Sequence, residues 1–144
     1  MFIVNVEGAV WNDGKWLVIE RSIKEDHAGG LLSLVGGKVE APGVNKDVLE
    51  KTVQREFLEE VGLKLKAEMA YVCNTSFLYH DTHVIDIVYL CEMEEGSKPS
   101  IVSPDEVEAI HWMTYEEMKL RSNAPEYLLE AVRVAEKVRV RNLE

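Results

Sequence analysis

The fifteen residues from Asp47 to Val61 contain neither Gly nor Pro, are rich in helix-forming side chains, and run directly into Gly62. This pattern predicts a helix with a glycine stop, because Gly enters the left-handed region past the last turn without a Cβ clash. At 100° per residue, with Glu56 as zero, Glu59 falls at about −60° and Glu60 at about +40°. Val53, Phe57 and Val61 fill the adjoining sector, about +60° to +140°, the face that would pack on a sheet. The three acids therefore stand at the rim of the buried face. Like charges this close repel by about 1 kcal/mol per pair even in water. A cluster of hard oxygen donors is also what Mg²⁺ or Mn²⁺ requires. Arg55, one turn before Glu59, is placed to hold the carboxylates. On the helix alone, a solvated acidic face explains the same residues at least as well.

The rest of the chain reads mainly as strands. Phe2 to Trp11 and Lys15 to Glu20 form a hairpin about the turn Asn12-Asp13-Gly14. Residues 22–30 read as an exposed loop, and Leu31 to Val35 as a short apolar strand running into Gly36-Gly37. Further strands are expected at about Glu68 to Leu78 and Thr82 to Met93, joined by Tyr79-His80-Asp81, and at Val107 to Met113. Residues 94–104 read as a loop. Thr114 is the expected cap of a short helix beginning Tyr115-Glu116-Glu117, and Pro125 opens a final helix to about Val138. No repeat or low-complexity linker interrupts the chain, so one mixed α/β domain over residues 1–144 is expected.

A chain of 144 residues is long enough to bury a core without metal or disulfide staples. The net charge of −10 argues against a DNA- or RNA-binding surface, which needs clustered Lys and Arg. It does not exclude a small phosphorylated ligand, because divalent cations can sit between carboxylates and phosphates. No apolar run approaches the roughly 20 residues of a membrane span, and no secretory signal is read at the amino terminus. Cys73 and Cys91 lie in separate predicted strands and read as reduced thiols of a cytoplasmic protein.

The segment before the helix narrows these alternatives. Leu34-Val35-Gly36-Gly37-Lys38-Val39-Glu40 and Gly43 read as a flexible loop just before the acidic helix, where paired glycines permit close approach to a ligand. Together with Arg55-Glu56-Phe57-Leu58-Glu59-Glu60-Val61-Gly62-Leu63, it resembles the signature of the Nudix hydrolases. That signature reads Gly, five residues, Glu, seven residues, Arg-Glu, a bulky apolar residue, any residue, Glu-Glu, any residue, Gly and a bulky apolar residue. Its second half matches from Arg55 to Leu63. In the first half, Gly37 to Arg55 spans four positions more than the pattern, around Ala41 to Lys46, and Asp47 stands where the pattern has its first Glu.

The resemblance implies an α/β/α sandwich with a mixed sheet, and a magnesium-dependent (or manganese-dependent) hydrolase of pyrophosphate bonds in nucleotide-like compounds. It implies Glu56 and Glu60 as principal metal ligands, Glu59 as a further ligand or water-orienting residue, and the Gly36 carbonyl as another ligand. Arg55 would support these acids. Glu106 and Glu59 are the candidates for the general base. Gly37, Lys38, Tyr79 and Asn123 are candidates for holding substrate. Tyr79 could stack on a base, and Asn123 could read a purine edge or act as an N-cap before Pro125. Phe77, Trp11 and Trp16 are further stacking candidates with core roles as the alternative. Nucleoside triphosphates or related nucleoside diphosphate derivatives are the expected substrates, and a homodimer would suit the family. The rival is a catalytically silent Nudix-fold module that binds a nucleotide.

Overall fold

The structure, a computed structural model, describes residues 1–143. Its elements run β1 (Phe2–Asn12), β2 (Lys15–Arg21), β3 (Leu32–Ser33), β4 (Val35–Lys38), α1 (Val48–Val61), β5 (Ala70–Tyr79), β6 (Thr82–Cys91), β7 (Val107–Met113), α2 (Tyr115–Lys119) and α3 (Glu126–Asn142). Strand β1 is the hub. It pairs parallel with β6 from Phe2 to Val10 and antiparallel with β4 from Asn5 to Gly8, and its last residues pair with β2. Beyond β6 lies the antiparallel edge strand β5, and beyond β2 lies β7. Parallel and antiparallel pairs thus share one mixed sheet, the expected α/β architecture.

The alternation of β1 separates two cores, as a strand period of two requires. Val6 and Val10 pack with Val53, Phe57 and Val61 of α1 on one face. Ala9 packs with Val88 and with Leu128, Ala131, Val132 and Ala135 of α3 on the other. The sheet therefore lies between α1 and the α2–α3 pair. Trp16 is fully buried, and Trp11 packs edge-on against it at 4.9 Å beneath the Arg139 guanidinium. Trp16 is a core residue, and Trp11 is partly buried against the same core. Both cysteines are free, and burial pushes the Cys91 thiol up to about 12, which makes it inert near neutrality.

Two tight hairpins hold the strands. Asp13 and Gly14 have φ of 50° and 82°, and His80 and Asp81 have φ of 49° and 64°. These paired positive values suit the right-handed twist of the flanking strands, the second turn without a glycine. Thr114 caps α2 reciprocally with Glu117, as expected.

Four boundaries differ from the sequence reading. Leu31 to Val35 is not one strand but two: β3 pairs with β2, and after Leu34 the chain crosses over so that β4 pairs with β1. Gly36 and Gly37 lie inside β4 as extended backbone rather than in a flexible loop. Helix α1 begins at Val48, because Asp47 takes the left-handed conformation (φ 56°), which Asp tolerates better than most residues. Finally, α3 continues to Asn142, and Pro125, not Asn123, occupies its N-cap position.

Gly8 sets how closely α1 approaches the sheet. A Cβ there would lie 2.7 Å from Phe57 Cε1 and 2.9 Å from Val53 Cγ1. Gly8→Ala should therefore destabilise the protein by about 1–3 kcal/mol through overpacking, visible as a lowered thermal midpoint. An unchanged midpoint would show that α1 can move away at little cost.

Candidate active site

The C-terminal half of α1 carries the acids, and its seating on β4 decides which of them converge. A Cβ on Gly37 would collide with the Glu56 carboxyl group, so glycine is needed for this approach. Arg55 spans the same junction. Its Nη2 donates to the Lys38 carbonyl at 3.0 Å and to Glu56 Oε1 at 2.9 Å, while its Nε lies 3.7 Å from Glu59 Oε1. The hydrogen bond to Glu56 is the main reason the Arg55 pKa is raised, with the charges of Glu56, Glu40 and Glu59 adding to it. Asp47 is exposed at the helix start and makes no side-chain capping bond. Glu40, rather than Asp47, is the carboxylate from the preceding segment whose field Arg55 feels.

The end of α1 is closed by the segment leading to β7. Ser100 N donates to the Val61 carbonyl at 2.8 Å and Val102 N to the Glu60 carbonyl at 3.0 Å. These bonds occupy helix-end carbonyls that would otherwise lack partners. The next turn brings in Glu106, whose Oε1 accepts from Ser103 Oγ at 3.2 Å. One carboxylate oxygen from each of Glu56, Glu60 and Glu106 then lies within 4.8 Å of the others. Glu59 stands apart, its side chain 61% exposed. The helical wheel explains the split. Glu60 borders the apolar sector and is 3% exposed, whereas Glu59 is the acid farthest from that sector.

Glu60 is electrostatically frustrated. Its Oε2 is buried without a hydrogen-bond partner. Burial first, then the hydrogen bond and charge of Glu56 and the charge of Glu106, raise its pKa from 4.5 to about 9, against a smaller lowering by Arg21. A buried polar atom without a partner is costly, and a hard divalent cation among three carboxylates would relieve both the desolvation and the repulsion. Opposed oxygens around Mg²⁺ are about 4.2 Å apart, close to the observed spread. The donor set fits such an ion.

Near this cluster, where Arg21 and Glu7 act on the charge of Glu60, lies a cleft of about 650 Å³ whose lining includes Arg21, Lys38, Phe77 and Tyr79 but none of the three acids. Asn5, Glu7 and Asp86 also line it. Burial, and then Asp86, push the Glu7 carboxyl well above the usual carboxylate range. Gly36 is in register with Glu7 across the β1–β4 ladder. Asn123 does not line the cleft. Its Nδ2 donates to the Gly30 carbonyl at 3.1 Å and to Glu20 Oε1 at 3.4 Å, and its main-chain carbonyl accepts from Leu32 N. It ties the α2–α3 connection to the start of β3.

The sequence reading passed over Asn5, Glu7, Arg21, His27 and Asp86 as cleft residues. A signal was available: Asn5 and Glu7 alternate with Val4 and Val6, and Asp86 interrupts Val84-Ile85-Ile87-Val88. Polar groups on one face of otherwise apolar strands mark a face that is not simply core.

The layout defines an α/β/α sandwich with an acidic cluster at the end of its first helix and a cleft beside it. The chain belongs to the Nudix family: the family's NUDIX domain matches residues 1–132. Among solved structures, it is similar to a MutT NUDIX hydrolase from Burkholderia pseudomallei, with 27% identity and a TM-score of 0.77 over 93% of this chain and 98% of that one. A MutT protein from Methanosarcina mazei Go1 shares the fold at 22% identity and a TM-score of 0.73, covering 96% and 95% of the two chains. A NUDIX hydrolase from Nitrosomonas europaea does so at 15% identity and a TM-score of 0.77, covering 95% and 90%. No curated protein matches the sequence. Among the described residues, no helix is long and apolar enough to cross a membrane.

The raised pKa of Glu60 has a consequence for stability. A carboxyl whose folded pKa lies above its unfolded value contributes stability that is fully present below about pH 4.5 and is lost progressively as pH rises to about 9. In chelator, the wild type should therefore lose thermal stability from pH 5 to 9 more steeply than Glu60→Gln. At pH 8 the variant should melt a few degrees higher. Parallel pH profiles in thermal melts would contradict the frustration assigned to Glu60.

Proposed function

We propose that this Nudix protein is a divalent-metal-dependent pyrophosphohydrolase acting on a nucleoside triphosphate or another nucleoside diphosphate-linked compound. The observation that carries this reading is the convergence of Glu56, Glu60 and Glu106, with one Glu60 oxygen buried and unpartnered. Glu56 and Glu60 are the principal donors for Mg²⁺ or Mn²⁺, with Glu106, Glu59 and the Gly36 carbonyl as the further candidates. Bound there, the ion supplies neutralisation of phosphate charge and acidification of a water molecule.

The chain's own groups divide the remaining work. Arg55 fixes the Glu56 carboxylate against β4 through the Lys38 carbonyl, so the donor is oriented before substrate arrives. Lys38 and Arg21, the latter 3.4 Å from Glu25, are the positive groups against which phosphates would lie in a cleft that also holds Glu7, Glu25, Asp26 and Asp86. The nucleoside occupies the cleft beyond them, near Tyr79. Glu106 is held only at its rim by Ser103 and is open to accept the proton of the attacking water at Oε1 or Oε2. Glu59, exposed and paired with Arg55, is the second candidate for that proton. Attack on one phosphorus releases a nucleoside monophosphate with pyrophosphate or a phosphorylated remainder.

A hydrolysis panel with Mg²⁺ tests the reading, spanning nucleoside triphosphates, nucleotide sugars, ADP-ribose and dinucleoside polyphosphates. Phosphoanhydride cleavage of at least one class is expected, abolished by chelator. Glu60→Gln should lower turnover by about 10² or more. Tight nucleotide binding with no phosphate release under any condition would replace the hydrolase with a silent binding module.

A further inference from the structure

The floor of the cleft spends its polar groups internally. Lys38, Asn5, Asp86 and Thr75 lie in register across β4, β1, β6 and β5, and within that row Asn5 Nδ2 donates to Asp86 Oδ1 at 2.6 Å. The connection from β2 to β3, residues 22–31, brings Glu25, Asp26, His27 and Ala28 to the same cleft. Its two ends are pinned together. Gly30 N donates to the Arg21 carbonyl at 2.8 Å, and Arg21 N donates to the Leu31 carbonyl at 2.9 Å. A compact loop closed at its base in this way can swing as a unit without disturbing the strands that carry it.

Inside the cleft two contacts hold this strap down, and each uses a group that a nucleotide would need. Glu25 Oε2 lies 3.4 Å from Arg21 Nη2, while Arg21 Nε donates to the His27 carbonyl at 3.1 Å. The guanidinium thus faces a carboxylate where it would otherwise face a phosphate, and its planar fork suits both anions. The His27 ring lies parallel to Phe77 within 3° at 5.6 Å and edge-on to Tyr79 at 5.4 Å. A planar ring inserted between two others needs about 7 Å, twice the contact distance of carbon atoms, so no base enters between His27 and Phe77. A base can stack on that face of Phe77 only where His27 now lies.

The rest of the strap suits displacement. His27 is exposed, and the Lys24–Asp105 pair that fastens the strap at 3.0 Å is exposed too, a kind of contact that stabilises little. Ala28 is held at φ 57°, a left-handed conformation unfavourable to a residue with a Cβ, and opening releases it. We propose that Glu25 and His27 form a built-in substrate mimic, a carboxylate on Arg21 in place of a phosphate and an imidazole on Phe77 in place of a base. Nucleotide binding displaces the strap, so the apparent affinity is lowered by the fraction of molecules that are open. The inference rests on the reading of the cleft as a nucleotide site and adds how access to it is controlled.

Equilibrium binding of ADP, GDP, CDP and UDP to the full chain in chelator tests this without turnover. His27→Ala should tighten whichever of them bind by about threefold to tenfold, through release of one aromatic pair. Glu25→Gln should tighten them by about twofold to fivefold. Without ligand, both variants should exchange the amide hydrogens of residues 23–29 faster than the wild type does. Saturating nucleotide should also speed that exchange in the wild type, whereas a lid closing over its ligand would slow it. Unchanged or weakened affinity in either variant would overturn the proposal, as would slower exchange of the strap in the liganded wild type. Phosphate release in the hydrolysis panel with unaltered affinities sinks the strap alone. Absence of binding in the wild type and both variants sinks it together with the nucleotide reading.

Discussion

The structure depends on how closely one helix can lie on one strand pair. Val53 and Phe57 of α1 press onto β1 at Gly8, and Glu56 passes over Gly37 of β4 where a methyl group would collide with its carboxyl. Apolar burial provides the force for this contact, Gly8 removes the obstacle to it, and Gly37 leaves room for the Glu56 carboxyl. With α1 seated so low, Glu60 is carried below the surface. A helix a few ångströms higher would leave the acids solvated and no more than an ordinary charged face.

Seating the helix creates an electrostatic problem that the fold leaves open. Arg55 satisfies part of Glu56 and is itself anchored on the Lys38 carbonyl. Nothing comparable reaches Glu60 Oε2. Buried like charges are normally neutralised by protonation or by a bound cation, and the raised pKa of Glu60 is the proton solution. A site that binds protons and metal at the same oxygens couples the two. Stability and chemistry are then set by one carboxylate, a common cost of functional acids.

Much of this was legible beforehand in local pattern. The β1–β2 and β5–β6 hairpins, the Gly62 stop and the Thr114 cap each follow from a few adjacent residues and were read correctly. The run from Arg55 to Leu63 carried the family resemblance by itself. The failures share a cause. Gly36-Gly37 looked like flexible loop because glycine permits many conformations, whereas the pairing partner in β1 that holds them extended lies about thirty residues away. Asp47 was aligned with a carboxylate position by counting, but the added residues of the preceding segment leave it at the helix start and bring Glu40 into the field of Arg55. Asn123 was read as a ligand or a cap, and its amide instead bonds Gly30, nearly a hundred residues distant.

The sequence by itself determined the helix, its apolar seam and the ordering of its acids around that seam, since these follow from a 3.6-residue period and local propensity. It also determined the alternation of β1 that separates two packed faces. Only the tertiary structure decided that Glu106 joins Glu56 and Glu60 while Glu59 stays outside, because that grouping depends on loop 100–106 closing the end of α1. Only the register of four strands placed Lys38, Asn5, Asp86 and Thr75 in one row. Strand alternation marks Asn5 and Asp86 one by one as polar positions, but neither grouping follows from residue spacing, because both are made by contacts between segments that the chain brings together only on folding.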